Sequence, residues 1–447
     1  MFFHYLRWEG TSKFVLHHAF ERAISRWRSG VAFSVRFDED RLFTDAAYNI
    51  LSAVRFILCA VRFPLLNYPS SMKNDMLQEL CQKVAASSAI AVQGGCTKNA
   101  LHSSSVDENR VLIDARAHDG IVTYDPSEFL ITARAGTPVS TLAAALLENG
   151  QYLPFDPVLV GAGATLGGTI ASGISGSDRM LYGSLRDFVM EVELIDGLGR
   201  LVRGGGKVVK NSAGFDLPKL MVGSYGRLGI MTEATLKVFP KPRAFVTQRF
   251  QFPTTGATLA AMQKLQTNPL PISAIDIEPQ AQLVVRYAGR AEALETVAVR
   301  AQQLLGQTAL RADTTESESE YWSQLSEFTF VTGGRALIRV SMSGRKLLAV
   351  EQTLQSLNGI EAWRYSCGAS VAWVATNSEC NYDELDRRLS ALSLAAVVVR
   401  HDGSPNAGLR LLGDTSWVAF SDRIQKAMDP ERKFPAFAVA SEPAAFR

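Results

Sequence analysis

Cysteine is sparse, an excess of charge of one sign is absent, and apolar runs are short, and each shortage removes a class of protein. The 447 residues hold five cysteines, Cys59, Cys81, Cys96, Cys367 and Cys380, far apart and without a Cys-x-x-Cys pair. That spacing supports neither a zinc site nor an iron–sulfur cluster, and no metal ligands are expected. It suits reduced thiols in the cytoplasm. Lys and Arg number 46 against 44 Asp and Glu, a formal net charge of +2. So small a balance points to no nucleic-acid partner, which would need a concentrated basic face. A membrane-spanning helix takes about 20 apolar residues; the best stretch, residues 50–66, is broken by Arg55 and Arg62. The start of the chain lacks the charged, apolar and small-residue segments of a signal peptide. The expected location is cytoplasmic.

What is present is enough for a large core. At roughly 100–200 residues per domain the length suggests two or three domains. Residues 1–71 differ from the rest: they hold His4, His17 and His18 of the six histidines, dense arginine, and no persistent apolar stripe. They read as an over-called translation start, with Met72 or Met76 as the true one, or as a basic partner-binding extension; either way weak packing is expected. Residues 72–243 read as a first domain, 244–414 as a second, and 415–447 as a C-terminal helix and tail.

Within the first domain an amphipathic helix is expected over 75–87, with Leu77, Leu80, Cys81 and Val84 on one face. Short strands follow at 89–92, 111–113, 120–124 and 129–133. Thr137 is the expected N-cap of a helix over 139–148, with Pro138 at its first position and Gly150 at its stop. A hairpin is expected at 189–196 and 200–202, and a strand at 230–239, ended by Pro240-Lys241-Pro242-Arg243. Beyond it strands and helices alternate, with helices at 257–266, 291–305, 347–357, 382–392 and 415–428. The pattern is α+β, an antiparallel sheet with helices on one face. The polar stretch 313–320, with Glu316, Glu318 and Glu320, reads as a solvated loop.

Three glycine-rich clusters carry the chemistry. Gln93-Gly94-Gly95-Cys96-Thr97-Lys98 follows a strand, and successive amides in such a loop can turn into one concavity and hold a phosphate. Gly161 to Gly173 allows close approach of a bulky ligand. Residues 208–230 form the third. No Gly-x-x-x-x-Gly-Lys-Ser/Thr is present, so a P-loop is unsupported. The run from Gly161 has Leu166 where a dinucleotide fingerprint needs glycine, and no acidic strand end follows, so a Rossmann site is unsupported as well.

Taken in order, residues 93–98, 124–138, 164–176, 182–187 and 220–240 resemble the vanillyl-alcohol-oxidase (PCMH) type of FAD-binding family, over about 170 residues. Within it, segments 120–126, 182–189, 210–217, 220–226 and 269–273 look most like the smaller FAD-binding subunits of bacterial glycolate oxidases. The resemblance implies a two-subdomain FAD-binding domain followed by a smaller α+β cap domain. It implies non-covalent FAD, with Gly94, Gly95, Cys96 and Thr97 around the pyrophosphate. It further implies Thr165, Gly167, Gly168 and Ser172 on the other side, Pro157 and Ser184 nearby, and Gly229 and Ile230 at the adenine. Cys96 stands where some relatives carry a flavin-linking histidine. Implied partners are a second FAD-containing subunit, an iron–sulfur subunit and a small 2-hydroxy acid as substrate. The implied activity is oxidation of glycolate to glyoxylate. A non-catalytic assembly subunit and a stand-alone alcohol or sugar oxidase are the alternatives.

Two departures bear on activity. Asp429-Pro430 is followed by Glu431-Arg432-Lys433-Phe434-Pro435 where the family usually has Asn-Pro-Gly. The histidine-rich metal cluster of larger hydroxy-acid dehydrogenases is missing, and His401 stands alone. A hydroxy-acid oxidase needs a cation for the carboxylate and a base for the hydroxyl. Arg186, Lys210 and Arg339 are candidate cations, and the catalytic residues stay open at this point.

Overall fold

The computed structural model describes residues 74–101, 110–206, 216–313, 316–333, 335–401 and 409–437. Residues 1–71 and Lys210, the subjects of two of the expectations above, lie outside them. No helix among the described residues is long and apolar enough to cross a membrane.

The first lobe begins with α1 (Asn74–Ala86), whose Asp75 and Lys83 suit the two ends of the helix dipole. Leu80, Cys81 and Val84 pack it on β1 (Ile90–Gln93) and β2 (Val111–Asp114), a parallel pair. Next come β3 (Ile121–Asp125), β4 (Leu130–Arg134), α2 (Val139–Leu147) and β5 (Gln151–Tyr152). Then follow α3 (Leu166–Ser172), α4 (Arg179–Tyr182), β6 (Val189–Ile195), β7 (Leu201–Gly205), α5 (Leu217–Met221), β8 (Ile230–Lys237) and β9 (Phe239–Pro240). The strands β3-β4-β8-β6-β7 make one antiparallel sheet in that order. Pro240 does not simply stop a strand, because β9 pairs with β5.

One cap differs from expectation. Pro138 is the N-cap of α2, and the Thr137 hydroxyl instead accepts from the Gly120 amide at 2.9 Å. Thr137 is buried, so it ties two loops of the first lobe together and is not free to cap.

The second lobe runs through β10 (Ala244–Gln251), α6 (Thr255–Gln266), β11 (Ile272–Glu278), β12 (Gln282–Gly289), α7 (Ala291–Leu305), β13 (Arg311–Asp313) and α8 (Glu316–Ser326). It continues with β14 (Ala336–Ser341), α9 (Leu347–Ser356), β15 (Ile360–Ser366), β16 (Val371–Thr376), α10 (Tyr382–Ala391), β17 (Ala395–Arg400) and β18 (Leu411–Gly413). Its nine strands form one antiparallel sheet, β13-β10-β12-β11-β15-β16-β14-β17-β18, with β11 and β15 joined only at Ile277 and Tyr365.

Both faces of this sheet are buried, which is why its strands read as nearly unbroken apolar runs such as Val371–Thr376. Side chains alternate between faces. Ile338, Val340, Ala372, Val374, Ala396 and Val398 share a core with the helices α6, α7, α9 and α10. Leu337, Val371, Trp373, Val397 and Val399 join the core of the first lobe. The inner face of the second lobe is therefore the floor against which the first lobe sits.

The stretch expected as a solvated loop at 313–320 is corrected by α8. Glu318 is 4% exposed and bonds both Arg286, at 2.7 Å, and the Thr247 hydroxyl, at 2.9 Å. Its charge is neutralised by a residue distant in sequence, so its polarity carried no local warning of burial.

After α11 (Val418–Met428) the chain returns to the first lobe. The Asp429 carboxylate accepts from the amides of Lys433 and Phe434, at 3.0 and 2.7 Å. The Lys433 ammonium donates to the carbonyls of Val84 and Ala85 at the end of α1. Phe434, 1% exposed, fills the small cluster of Val84, Ile90, Ile113, Ile195 and Ile230. Hence the segment that departs from the family sequence is still firmly built in.

Candidate functional site

The first two glycine clusters meet. The loop after β1 lies against the loop before α3 so closely that a Cβ on Gly94 would stand 2.6 Å from the Thr165 hydroxyl, and one on Gly95 would stand 2.1 Å from the Gly163 carbonyl. Thr165 is the N-cap of α3 and accepts from the Gly168 amide at 3.3 Å, worth about 1 kcal/mol to the helix. Gly167 is buried, its amide donating to Ala135 at 2.8 Å. Gly173 ends the helix in a left-handed conformation.

Among the described residues, the amides of Gly94, Gly95, Cys96 and Thr97 donate to nothing. Four successive free donors beside a helix N-terminus form an anion-binding concavity. Cys96 stands at φ 51°, exposed, its thiol held above the ordinary range because desolvation outweighs the nearby Arg116 charge. A thiol kept protonated is a poor nucleophile.

Behind the loop lies Lys98, 8% exposed, its ammonium touching the Thr97 hydroxyl at 3.5 Å. Burial pulls its pKa down to about 8, against the opposing charge of Glu327. Glu327, just beyond α8, accepts from the amides of Gly161 and Ala162 at 2.7 and 3.1 Å. The second lobe thereby grips the second glycine loop. Neither Lys98 nor Glu327 was singled out from sequence; a lysine next to a glycine loop was the one available signal.

The other expected residues are placed more loosely. Pro157 bridges to Ser175, whose hydroxyl accepts from the Leu185 amide at 3.2 Å, so Pro157 and Ser184 flank one turn. The Ser184 amide itself donates to Asp187 at 2.9 Å. Ser172 is buried and its hydroxyl donates back to Thr169 within α3. Gly229, at φ 143°, allows the chain to pass the Ile195 carbonyl, which a Cβ would meet at 2.6 Å. Ile230 starts β8 and packs in the cluster that also holds Ile90 at the start of β1.

The lobe junction is rich in charge. Arg286 joins Asp178 and Glu318, and Arg364 joins Asp276 and Glu278. Asp156, half-buried, is pushed up to about 7 by burial first and by the Asp178 charge second. Of the candidate cations, Arg186 is exposed, whereas Arg339 lies on β14 near Arg179 and Tyr225. A cavity of about 460 Å³ lies elsewhere: it sits between Gln280, Glu351 and Tyr365 in the second lobe and shares no residue with the glycine cradle.

Comparison with known proteins agrees with this geometry. Residues 73–205 match the FAD binding domain family. Alkyldihydroxyacetonephosphate synthase has the same fold, with a TM-score of 0.60, 16% identity, and coverage of 80% of this chain and 74% of that one. The class so defined is a protein with an FAD-binding domain of this fold. Glycolate oxidase subunit GlcE of Escherichia coli is 35% identical over 308 residues, 68% of this chain and 81% of the relative. Glycolate oxidase subunit GlcD of Bacillus subtilis is 37% identical over 122 residues, 27% of this chain and 26% of that one. The chain belongs to the GlcE family of glycolate oxidase subunits.

The residues present fit FAD. The free amides of 94–97 and the buried ammonium of Lys98 suit a pyrophosphate. Buried polar atoms with no partner among the described residues, Thr169 Oγ1, Ser224 Oγ and Arg227 Nε, remain around α3 and the third glycine cluster. A cofactor can satisfy such atoms, which are otherwise costly.

Proposed function

We propose that this chain is the FAD-binding subunit of a complex that oxidises a small 2-hydroxy acid, glycolate, to glyoxylate. The observation that carries the reading is the row of four amides, Gly94 to Thr97, without partners among the described residues and set against the N-cap of α3. Gly94, Gly95, Cys96 and Thr97 would hold the pyrophosphate, aided by Thr165 and Gly168. Pro157, Gly167, Ser172 and Ser184 would lie along the ribityl and ring side, and Gly229 and Ile230 at the adenine. FAD bound there supplies a two-electron acceptor, and the protein supplies orientation and electrostatics. Binding is non-covalent. The partners are a second flavin subunit of the GlcD kind and an iron–sulfur subunit that carries electrons onward. The complex is cytoplasmic and reaches the inner membrane through those partners.

The test is the visible spectrum of the purified full chain before and after anaerobic glycolate. Flavin bands that bleach make this a subunit that oxidises substrate itself. Bands that bleach only after the second flavin subunit is added make it an electron relay. Folded protein without flavin bands would remove the cofactor assignment.

A further inference from the structure

Four arginines lie where the two lobes meet, and they fall into two kinds. Arg286 and Arg364 are each held by two carboxylates. Arg179 and Arg339 are not. Arg179, the first residue of α4, donates to the Ser370 hydroxyl at 2.9 Å. Arg339, on the inner face of β14, donates to the Ser341 hydroxyl at 2.9 Å. Among the described residues neither has a carboxylate within salt-bridge distance; Asp178, adjacent in the chain to Arg179, is taken by Arg286.

The Met342 amide donates to the Ser370 carbonyl at 3.0 Å, which sets Ser370 beside Ser341 and brings both guanidiniums to one place, where burial first and the Arg179 charge second hold Arg339 below its ordinary range. Two half-buried cations side by side repel, and water screens them poorly there. Their other neighbours are donors or weak acids: the Tyr225 phenol and the Cys367 thiol. Tyr225 stands at φ 51° and donates its amide to Ala171, at the C-terminal end of α3. Ser370 closes a turn in which Cys367, Gly368 and Ala369 all have positive φ, and Gly368 abuts Met180 next to Arg179. A strained turn is thus held against the arginine it orients.

We propose that Arg179 and Arg339 form a carboxylate-binding site divided between the lobes, with the Tyr225 hydroxyl as a third donor. Planar forks from two directions match a carboxylate better than a lone ammonium would. The free amides of 94–97 lie at the other end of α3, roughly 10 Å away at 1.5 Å rise per residue. One end of this short helix therefore faces the anionic part of the cofactor cradle and the other faces a second anion site. Identifying the ligand as the carboxylate of a 2-hydroxy acid rests on the proposed function; the site itself rests on the arginines. Because the halves come from different lobes, the ligand also clamps the lobes together.

The experiment uses the full chain as purified, with oxalate, a dicarboxylate that a flavin cannot oxidise at an alcohol carbon. Calorimetry is the readout, with the flavin difference spectrum recorded alongside and ethylene glycol as the uncharged control. Oxalate is expected to bind and ethylene glycol not to bind. Arg179→Met and Arg339→Met should each weaken oxalate on the order of ten- to a hundredfold. Arg339→Lys should fall between, and Arg387→Ala, on the exposed face of α10, should change nothing. Far-UV circular dichroism and the flavin-to-protein ratio should match the wild type in every variant. Oxalate binding equally well to the methionine variants, or failing to bind to folded, flavin-loaded wild type, overturns the proposal while leaving the cofactor assignment intact. Folded protein that binds oxalate through these arginines but carries no flavin would uphold the anion site and sink the proposed function.

Discussion

Replacing Gly95 with alanine should abolish tight FAD binding while leaving the fold standing. The new Cβ would lie 2.1 Å from the Gly163 carbonyl oxygen and 3.1 Å from its carbon. A carbon ordinarily approaches a carbonyl oxygen no closer than about 3.3 Å, so the two glycine loops must part by roughly 1.2 Å. Backbone cannot rotate away as a side chain can. Parting the loops carries the amides of 94–97 away from the pyrophosphate, and each charge-assisted hydrogen bond lost costs about 1.5–3 kcal/mol. One or two such losses raise the Kd for FAD on the order of a hundredfold or more. Gly94→Ala offers a control, because its obstacle is the Thr165 hydroxyl, 2.6 Å away. Thr165→Ala alone should cost about 1 kcal/mol through its lost cap. Combined with Gly94→Ala it should cost less than the sum; combined with Gly95→Ala it should be additive. The assay is fluorescence titration of FAD into flavin-free protein, with urea unfolding run in parallel. Wild-type FAD affinity in Gly95→Ala would refute the reasoning.

Three further outcomes are expected. Asp156 has its pKa raised from 3.8 to about 7 by burial and Asp178, so the folded chain retains a proton that the unfolded chain releases. Stability should be greatest below about pH 4 for this group and decline up to about pH 7; Asp156→Asn should flatten that decline in urea unfolding followed at several pH values. Lys98 is lowered from 10.5 to about 8, so its penalty is full below pH 8 and relieved between 8 and 10.5. Lys98→Met should accordingly stabilise flavin-free protein at pH 7 and not at pH 10.5, and it should remove any loss of FAD affinity as pH passes 8. Acid precipitation of the loaded protein should leave all flavin in the supernatant; yellow pellet would show a covalent link, with Cys96 the residue to check by mass spectrometry.

The sequence was most informative where local rules suffice. The helix Ala291–Leu305 matches the expected bounds, because an apolar period and a flanking glycine define it. The meeting of the first two glycine loops was implied only by the family resemblance. By contrast α3 contains Gly167-Gly168, poor helix formers, and is fixed by its Thr165 cap and by packing on Ala135. The strands β11 and β15 are hidden for a related reason: Asp276 and Arg364 interrupt their apolar pattern, and their burial is supported by their pairing at 2.7 Å together with Glu278, Ser177 and Ser366. Arg179 and Arg339 could not be associated from sequence at all. They are 160 positions apart, and it takes the closure of one lobe on the other to make them neighbours.

The return of residues 429–434 to the first lobe sets an order on the birth of the protein. Lys433 bonds the carbonyl of Val84, 349 positions earlier, and Phe434 supplies the last side chain of the cluster beneath β1. At about 5–20 residues per second, α1 waits roughly 20–70 s on the ribosome for that partner. Through that interval the strand that leads into Gly94 lies over an unfilled hydrophobic hole. The cradle can thus become rigid only after the second lobe and residues 429–434 have been made, so flavin capture waits on residues far beyond the loop that performs it.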